Sequence, residues 1–202
     1  RMLCSGQVCI AAKRLIIVND VYDQFFNLLQ EKLNSYVMGD PMNPAFNIGP
    51  IARLDLRQKI HLQVEKSIKQ GATLRKGGRI PEQQGWWYPI TVLEDVTPGM
   101  PAFDDEIFGP VLSLVRAEND KHAIELASET RFGLGAAIFS ANTANAKRIA
   151  VEDIEAGCVA INDFVRSDPR VPFGGIKDSG YGRELGKLGI HEFINSKSIV
   201  GA

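Results

Sequence analysis

Short, branched apolar runs alternate with amphipathic helical stretches along this chain, and that alternation restricts it to a layered α/β architecture. Residues 14–18 (RLIIV) form a run too short for a buried helix and apolar on both faces of a pleat, so they read as a strand covered on both sides. Asn19 or Asp20 can then cap a helix whose apolar face is Val21, Phe25, Leu28, Leu29 and Leu33. Residues 39–50, with Pro41, Pro44 and Gly49-Pro50, break the pattern as a loop. A second helix carries Leu56, Ile60, Val64 and Ile68 and stops at Gly71. Strands are expected at 73–75, 90–93, 111–115, 136–139 and 158–161, with helices at 121–130 and 142–152. A short helix and a terminal strand at 198–200 complete the reading. Strand–helix–strand order predicts a three-layer α/β/α fold with a largely parallel sheet, built as one domain over residues 1–202 around one sizeable core, with or without a small appendage.

Charge and cysteine usage narrow the partners. The formal net charge is −1, which gives no electrostatic pull toward nucleic acid or an anionic membrane, so neither is an expected partner. No apolar run approaches the roughly 20 residues of a membrane span, and no signal peptide is visible. Cys4, Cys9 and Cys158 are an odd set without CxxC spacing, which points to a reducing cytoplasm rather than a disulfide framework. His61, His122 and His191 lack paired-ligand spacing, and no metal site is expected.

Three segments carry candidate chemistry. Cys9 follows Gly6-Gln7-Val8 and precedes the small apolar stretch Ile10-Ala11-Ala12. If that stretch opens a helix, the thiol lies near an N-terminus that favours a thiolate; otherwise Cys9 is a small packed residue. Cys4 and Cys158 lack this setting and are expected to pack. The second segment, Asp104-Asp105-Glu106-Ile107-Phe108-Gly109-Pro110, is either an acidic turn into a strand or a carboxylate and ring displayed together at a strand edge. Such a pair can accept hydrogen bonds from a ribose diol while the ring packs on a flat ligand. The third, from Val171 to Glu184, is too rich in glycine for ordinary backbone. It has neither GxGxxG nor GxxxxGK[ST] spacing, so a tight turn fits better than a phosphate loop.

Together these segments resemble the aldehyde dehydrogenase superfamily, specifically its C-terminal catalytic domain. The matches are Gly6-Gln7-Val8-Cys9, Glu106-Ile107-Phe108-Gly109-Pro110 and the run from Pro172 to Glu184, supported by Gly39-Asp40-Pro41, Gly49-Pro50, Phe132-Gly133-Leu134 and Asn162. They stand in family order over nearly the whole chain. Within the family, residues 6–14 and the Arg166-Ser167-Asp168 loop look most like bacterial succinate-semialdehyde dehydrogenases. The resemblance implies that Cys9 attacks the aldehyde carbon to give a thiohemiacetal, which loses hydride to NAD or NADP and leaves a thioester for water to release. It implies that the Cys9 N–H helps hold the oxyanion and that Glu106 binds the nicotinamide ribose with Phe108 beside it. Val8 and Ile10 would shape the pocket. Arg166 would pair with a distal substrate carboxylate and Ser167 would donate a hydrogen bond, unless Arg166 or Arg170 is simply a solvated loop residue. Asn162 would be structural or at the pocket edge.

In that family the nucleophile follows a dinucleotide-binding domain, which also brings a water-activating glutamate and an asparagine of the oxyanion hole. No residue here matches those positions. The expectation is therefore an excised catalytic domain, inactive by itself, whose partners are a small aldehyde, an N-terminal cofactor domain of the same protein and further copies in a homo-oligomer. Two other readings stay open. The domain is a catalytically silent folding or assembly unit, or it is a thiol hydrolase, in which case one of the three histidines must meet Cys9 in space.

Overall fold

A computed structural model describes residues 1–201. The chain divides into two compact units, residues 1–129 and a second from Thr130 onward, where the sequence pattern predicts one core.

The first unit is built on a four-stranded sheet of β1 (Arg14–Val18), β2 (Thr73–Lys76), β3 (Thr91–Glu94) and β4 (Val111–Ala117), in the order β1-β4-β3-β2. β1 and β3 both run parallel to β4, and β2 closes the edge antiparallel to β3. The strand β4 shows why this sheet must be covered twice. Val111, Val115 and Ala117 enter one hydrophobic cluster, while Leu112 and Leu114 enter another on the opposite face. On the first face lie α2 (Leu54–Lys69), with Ile60 and Val64 buried, the single turn α3 (Pro101–Asp104), and α4 (Asp120–Ser128) through Leu126. On the second lies α1 (Asn19–Asn34). The result is the expected α/β/α layering around a mainly parallel sheet.

The face that α1 buries is rotated from the predicted one: Phe25, Leu29 and Leu33 pack on the core as expected, but Val21 and Leu28 do not. Tyr22, Phe26 and Leu33 are buried, whereas Val21 is 47% and Leu28 59% exposed. The rotation follows from polar anchoring: Tyr22 donates its hydroxyl to the buried Glu94 carboxylate at 2.9 Å, and Arg116 lies 3.4 Å over its ring. A tyrosine reads as half-polar in a sequence pattern, yet here it is the most buried residue of the helix. Neither Asn19 nor Asp20 caps α1; Val18 holds the N-cap position without a side-chain bond. At the other end of β1, Arg14 donates to the carbonyls of Leu126, Ala127 and Glu129, closing the C-terminal turn of α4, and stacks 4.7 Å over Phe103.

The second unit contains two small ladders. β5 (Phe132–Gly133) pairs antiparallel with β8 (Ile176–Lys177), and β6 (Gly135–Ile138) pairs parallel with β7 (Cys158–Ile161). α5 (Thr143–Glu152) connects β6 to β7, capped by Asn142, and α6 (Gly186–His191) follows the glycine-rich passage. Residues 198–200 form no strand: Ile199 and Val200 are almost fully exposed, and no neighbouring strand pairs with them. Among the described residues no helix is long and apolar enough to cross a membrane.

Candidate active site

Cys9 lies on an exposed turn rather than at a helix N-terminus. Ile10-Ala11-Ala12 does not become helical, because the chain must enter β1 at Arg14; Ala11 N–H instead closes a turn on Val8 O at 3.2 Å. The thiol is therefore displayed by turn geometry, with Val8 and Ile10 half-buried on either side. The hydrogen bonds of the turn leave the Cys9 N–H without an acceptor among the described residues. Cys4 is exposed as well, against the expectation that it packs; it sits with Ser5 in left-handed backbone (φ 48° and 56°). Cys158 is half-buried.

The residues before Cys9 are held by their side chains. Gln7 accepts from Ala52 N–H at 2.9 Å and donates to Cys4 O and Pro50 O, while Ser5 donates to Gly49 O at 3.0 Å. This explains why Gln7 and Gly49-Pro50 occur in one chain: the amide is the clamp between two loops. Gly6 has φ +73°, and a Cβ there would stand 2.2 Å from Gly109 O. The Gly6 backbone thus packs directly on the Gly109-Pro110 corner, which joins the first and second candidate segments.

That second segment is oriented by alternation. Ile107 is 2% exposed in the core, so its neighbours Glu106 and Phe108 point outward. Arg1 locks the segment from behind, donating to Ile107 O and Gly109 O at 2.6 Å each, Val111 O at 2.6 Å and Ala11 O at 3.3 Å. Burial lowers the Arg1 pKa to about 10, opposed by Glu106. From below, Ser67 of α2 accepts from Ala102 N–H at 2.9 Å and donates to Gln63 O, fixing α3, from which the Glu106 segment departs.

Cys9, Glu106 and Phe108 are brought together by a residue that the sequence reading did not select. Lys13 donates to Val8 O at 2.9 Å, Ala11 O at 2.7 Å and Cys9 O at 3.3 Å. The same Nζ lies 3.4 Å from Glu106 Oε1 and 5.1 Å over the Phe108 ring. Burial, and the nearby Arg1 charge, lower its pKa to about 8; Glu106 opposes that shift. In sequence Lys13 looks like the polar flank of a strand, and only its four-residue offset from Cys9 marks it.

The other predicted residues lie in the second unit. Arg166 pairs with Asp163 and lies 5.2 Å from the Phe164 ring centroid, and both Arg166 and Ser167 are exposed. Arg170 pairs with Asp168 at 2.6 Å, which holds the Asp168 carboxyl well below its usual range. Asn162, at φ 52°, accepts from Ser140 N–H at 2.8 Å and donates to Ser140 O at 2.9 Å, a brace between the ends of β6 and β7. The glycine-rich passage is a structural turn. Phe173 and Glu184 exchange backbone bonds at 2.8 and 2.7 Å, Arg183 ties Gly175 O and Gly182 O, and Gly157 leaves no room for a Cβ against Gly174 O.

Of the histidines in the first unit, His61 is engaged with Tyr88 and Glu65, and His122 accepts from Glu118 N–H. The described residues gather no group of three or more metal-ligating side chains. For a dinucleotide, the exposed Glu106 carboxylate beside the Phe108 ring presents the acceptor and flat apolar face that a ribose and its ring require.

Comparison with known proteins shows the family of the chain. The chain is 45% identical over 199 residues to the NADP(+) succinate-semialdehyde dehydrogenase of Mycobacterium avium strain 104, covering 98% of this chain and 42% of that protein. It is also 45% identical to the succinate semialdehyde dehydrogenase Sad of Escherichia coli K12, named for NAD(P)+, over 96% of this chain and 42% of the relative. The crystal structure of succinic semialdehyde dehydrogenase from Streptococcus pyogenes with NADP+ superposes with a TM-score of 0.90 at 38% identity, over 95% of this chain and 42% of that one. The chain thus spans well under half the length of these relatives. A family model described as the aldehyde dehydrogenase family matches residues 1–199. With the thiol turn, the Glu106 corner and the glycine-rich turn all in place across that match, the chain belongs to the aldehyde dehydrogenase family.

Proposed function

We propose that this chain carries the catalytic thiol of an NAD(P)-dependent aldehyde dehydrogenase that oxidises succinate semialdehyde to the acid. The observation that carries the reading is the packing of Gly6 on Gly109, which seats the exposed Cys9 turn against the corner bearing Glu106 and Phe108. Cys9 Sγ attacks the aldehyde carbon, and the Cys9 N–H, which has no acceptor within the turn, stabilises the oxygen that becomes negative. A bound dinucleotide would supply the hydride acceptor. Glu106 would accept the ribose hydroxyls and Phe108 would pack on the ring. Loss of hydride from the thiohemiacetal carbon leaves a thioester on Cys9, and addition of water breaks the C–S bond, freeing the carboxylic acid and the thiol. Val8 and Ile10 would border the aldehyde.

Arg166 and Ser167 are proposed to receive the distal carboxylate of the substrate. Arg166 is exposed, and its pair with Asp163 uses one nitrogen of a five-donor guanidinium. The water-activating base is proposed to come from the portion of the protein that corresponds to the rest of the relatives' length, which would also hold most of the cofactor. Homo-oligomerisation of that whole protein in the cytoplasm completes the reading; the three free cysteines suit a reducing compartment.

The test is turnover in the full-length protein, followed as reduced nicotinamide formed from succinate semialdehyde and NADP+. Cys9→Ser is expected to lower kcat by about a thousandfold or more. Undiminished turnover in that variant refutes the assignment. The 202-residue segment expressed alone, assayed in parallel, is expected to be silent.

A further inference from the structure

Lys13 has no place in the reaction as proposed, yet it touches every part of the site in the first unit. Its ammonium has three N–H groups and faces four acceptors: three carbonyls of the Cys9 turn at 2.7–3.3 Å and the Glu106 carboxylate at 3.4 Å. Its side chain is only 17% exposed, compared with 40% for Glu106, so the lysine is the fixed member of the pair and the carboxylate the adjustable one. The Phe108 face, 5.1 Å away, completes the enclosure.

We propose that Lys13 is a positioning residue for the cofactor: it holds the Glu106 carboxylate toward the Cys9 turn, in the orientation that accepts the ribose hydroxyls, and so sets the distance between cofactor and thiol. Two features favour this over a purely structural role. The carbonyl bonds to Val8 and Ala11 would suffice to close the turn, so the Glu106 contact is additional to folding. Glu106, by contrast, has no other cation within ion-pair distance among the described residues, and without Lys13 an outward-pointing carboxylate is free to rotate into solvent. Lys13 senses Arg1, Glu106 and Cys9, the charged and titratable groups packed around it, and burial brings its deprotonation to about pH 8. The ammonium is therefore present below about pH 8, and its hold on Glu106 is lost as pH rises through that value.

This inference rests on the reading of Glu106 as the ribose acceptor, and the experiment separates the two. In the full-length protein, KM for NADP+, KM for succinate semialdehyde and kcat are measured from pH 6.5 to 9.5 for the wild type, Lys13→Met, Lys13→Arg and Glu106→Gln. Lys13→Met is expected to raise KM for NADP+ about tenfold, the loss of one charge-assisted contact, while KM for the aldehyde changes less than about twofold. The wild-type KM for NADP+ should climb above pH 8. Lys13→Arg, which keeps its charge, should remove that climb. Adding Lys13→Met to Glu106→Gln should cost nothing further in KM for NADP+, because the lysine acts through the carboxylate. If Glu106→Gln raises KM for NADP+ but Lys13→Met leaves both KM and pH profile at wild-type values, the Lys13 proposal fails alone. If Glu106→Gln changes nothing, the ribose reading falls and this inference with it. Should Lys13→Met not fold, the Lys13→Arg profile decides: a climb above pH 8 that persists overturns the proposal.

Discussion

Replacing Gly6 by alanine tests the contact on which the site depends, and its cost can be worked from the geometry. Gly6 has φ +73°, where a side chain costs about 1–2 kcal/mol. Alanine recovers roughly 0.4–1 kcal/mol of that by restricting the unfolded chain. The new Cβ would also stand 2.2 Å from Gly109 O and 2.6 Å from Gly109 C. These atoms cannot yield, because Gly109 O already accepts from Arg1 at 2.6 Å and from Val111 N–H at 2.7 Å. Forced overpacking of this kind adds about 1–3 kcal/mol, for a total of about 1–5 kcal/mol. Gly99→Ala supplies the control, since φ there is +92° but nothing lies within 4 Å of its Cβ; without the overpacking it should cost only about 0–1.6 kcal/mol. Both tryptophans, Trp86 and Trp87, lie in the first unit, so urea titration followed by their fluorescence reports that unit's unfolding. If Gly6→Ala is no more destabilising than Gly99→Ala, the close approach of the two segments does not hold the site together.

Ser67→Ala should lower stability of the same unit by about 1–3 kcal/mol in the urea titration, because it leaves the buried Ala102 N–H without its acceptor. Tyr22 is held neutral by burial and by its bond to Glu94, which raises its pKa far above the ordinary value of 10. The unfolded chain therefore loses this proton near pH 10 while the folded chain keeps it, so this stabilisation is complete below pH 10 and declines above it. Tyr22→Phe should cost about 1–2 kcal/mol at pH 7 and show a shallower loss of stability above pH 10 than the wild type; parallel pH profiles would refute the account. Arg166→Ala should raise KM for succinate semialdehyde about tenfold while changing that for an uncharged aldehyde less than about twofold. Equal effects on the two substrates would remove Arg166 as the anchor.

The layering was legible because burial leaves a periodic trace. The run at 14–18 is β1 residue for residue, 158–161 is β7, and the helix at 56–68 lies within α2 with Ile60 and Val64 on its buried side. Errors arose where polar groups or chain direction overrode the apolar pattern. The buried tyrosine of α1 turned that helix away from Val21 and Leu28, and the need to enter β1 kept Ile10-Ala11-Ala12 from coiling. The terminal apolar residues 199–200 found no strand to pair with in the fold, and periodicity alone could not show that.

For the site, residue type and spacing settle which groups are present: a thiol after Gly6-Gln7, a carboxylate and ring flanking a core isoleucine, and a run of glycines before α6. Those are local properties. That the first two belong to one place follows from the fold, not from either segment. Gly6 meets Gly109 across about a hundred residues, and Lys13 reaches back over its own turn to Glu106, contacts made possible by the parallel pairing of β1 with β4. A lysine before a strand carries no sign of such a partner, because what makes it part of the site is the carboxylate that the fold delivers to it.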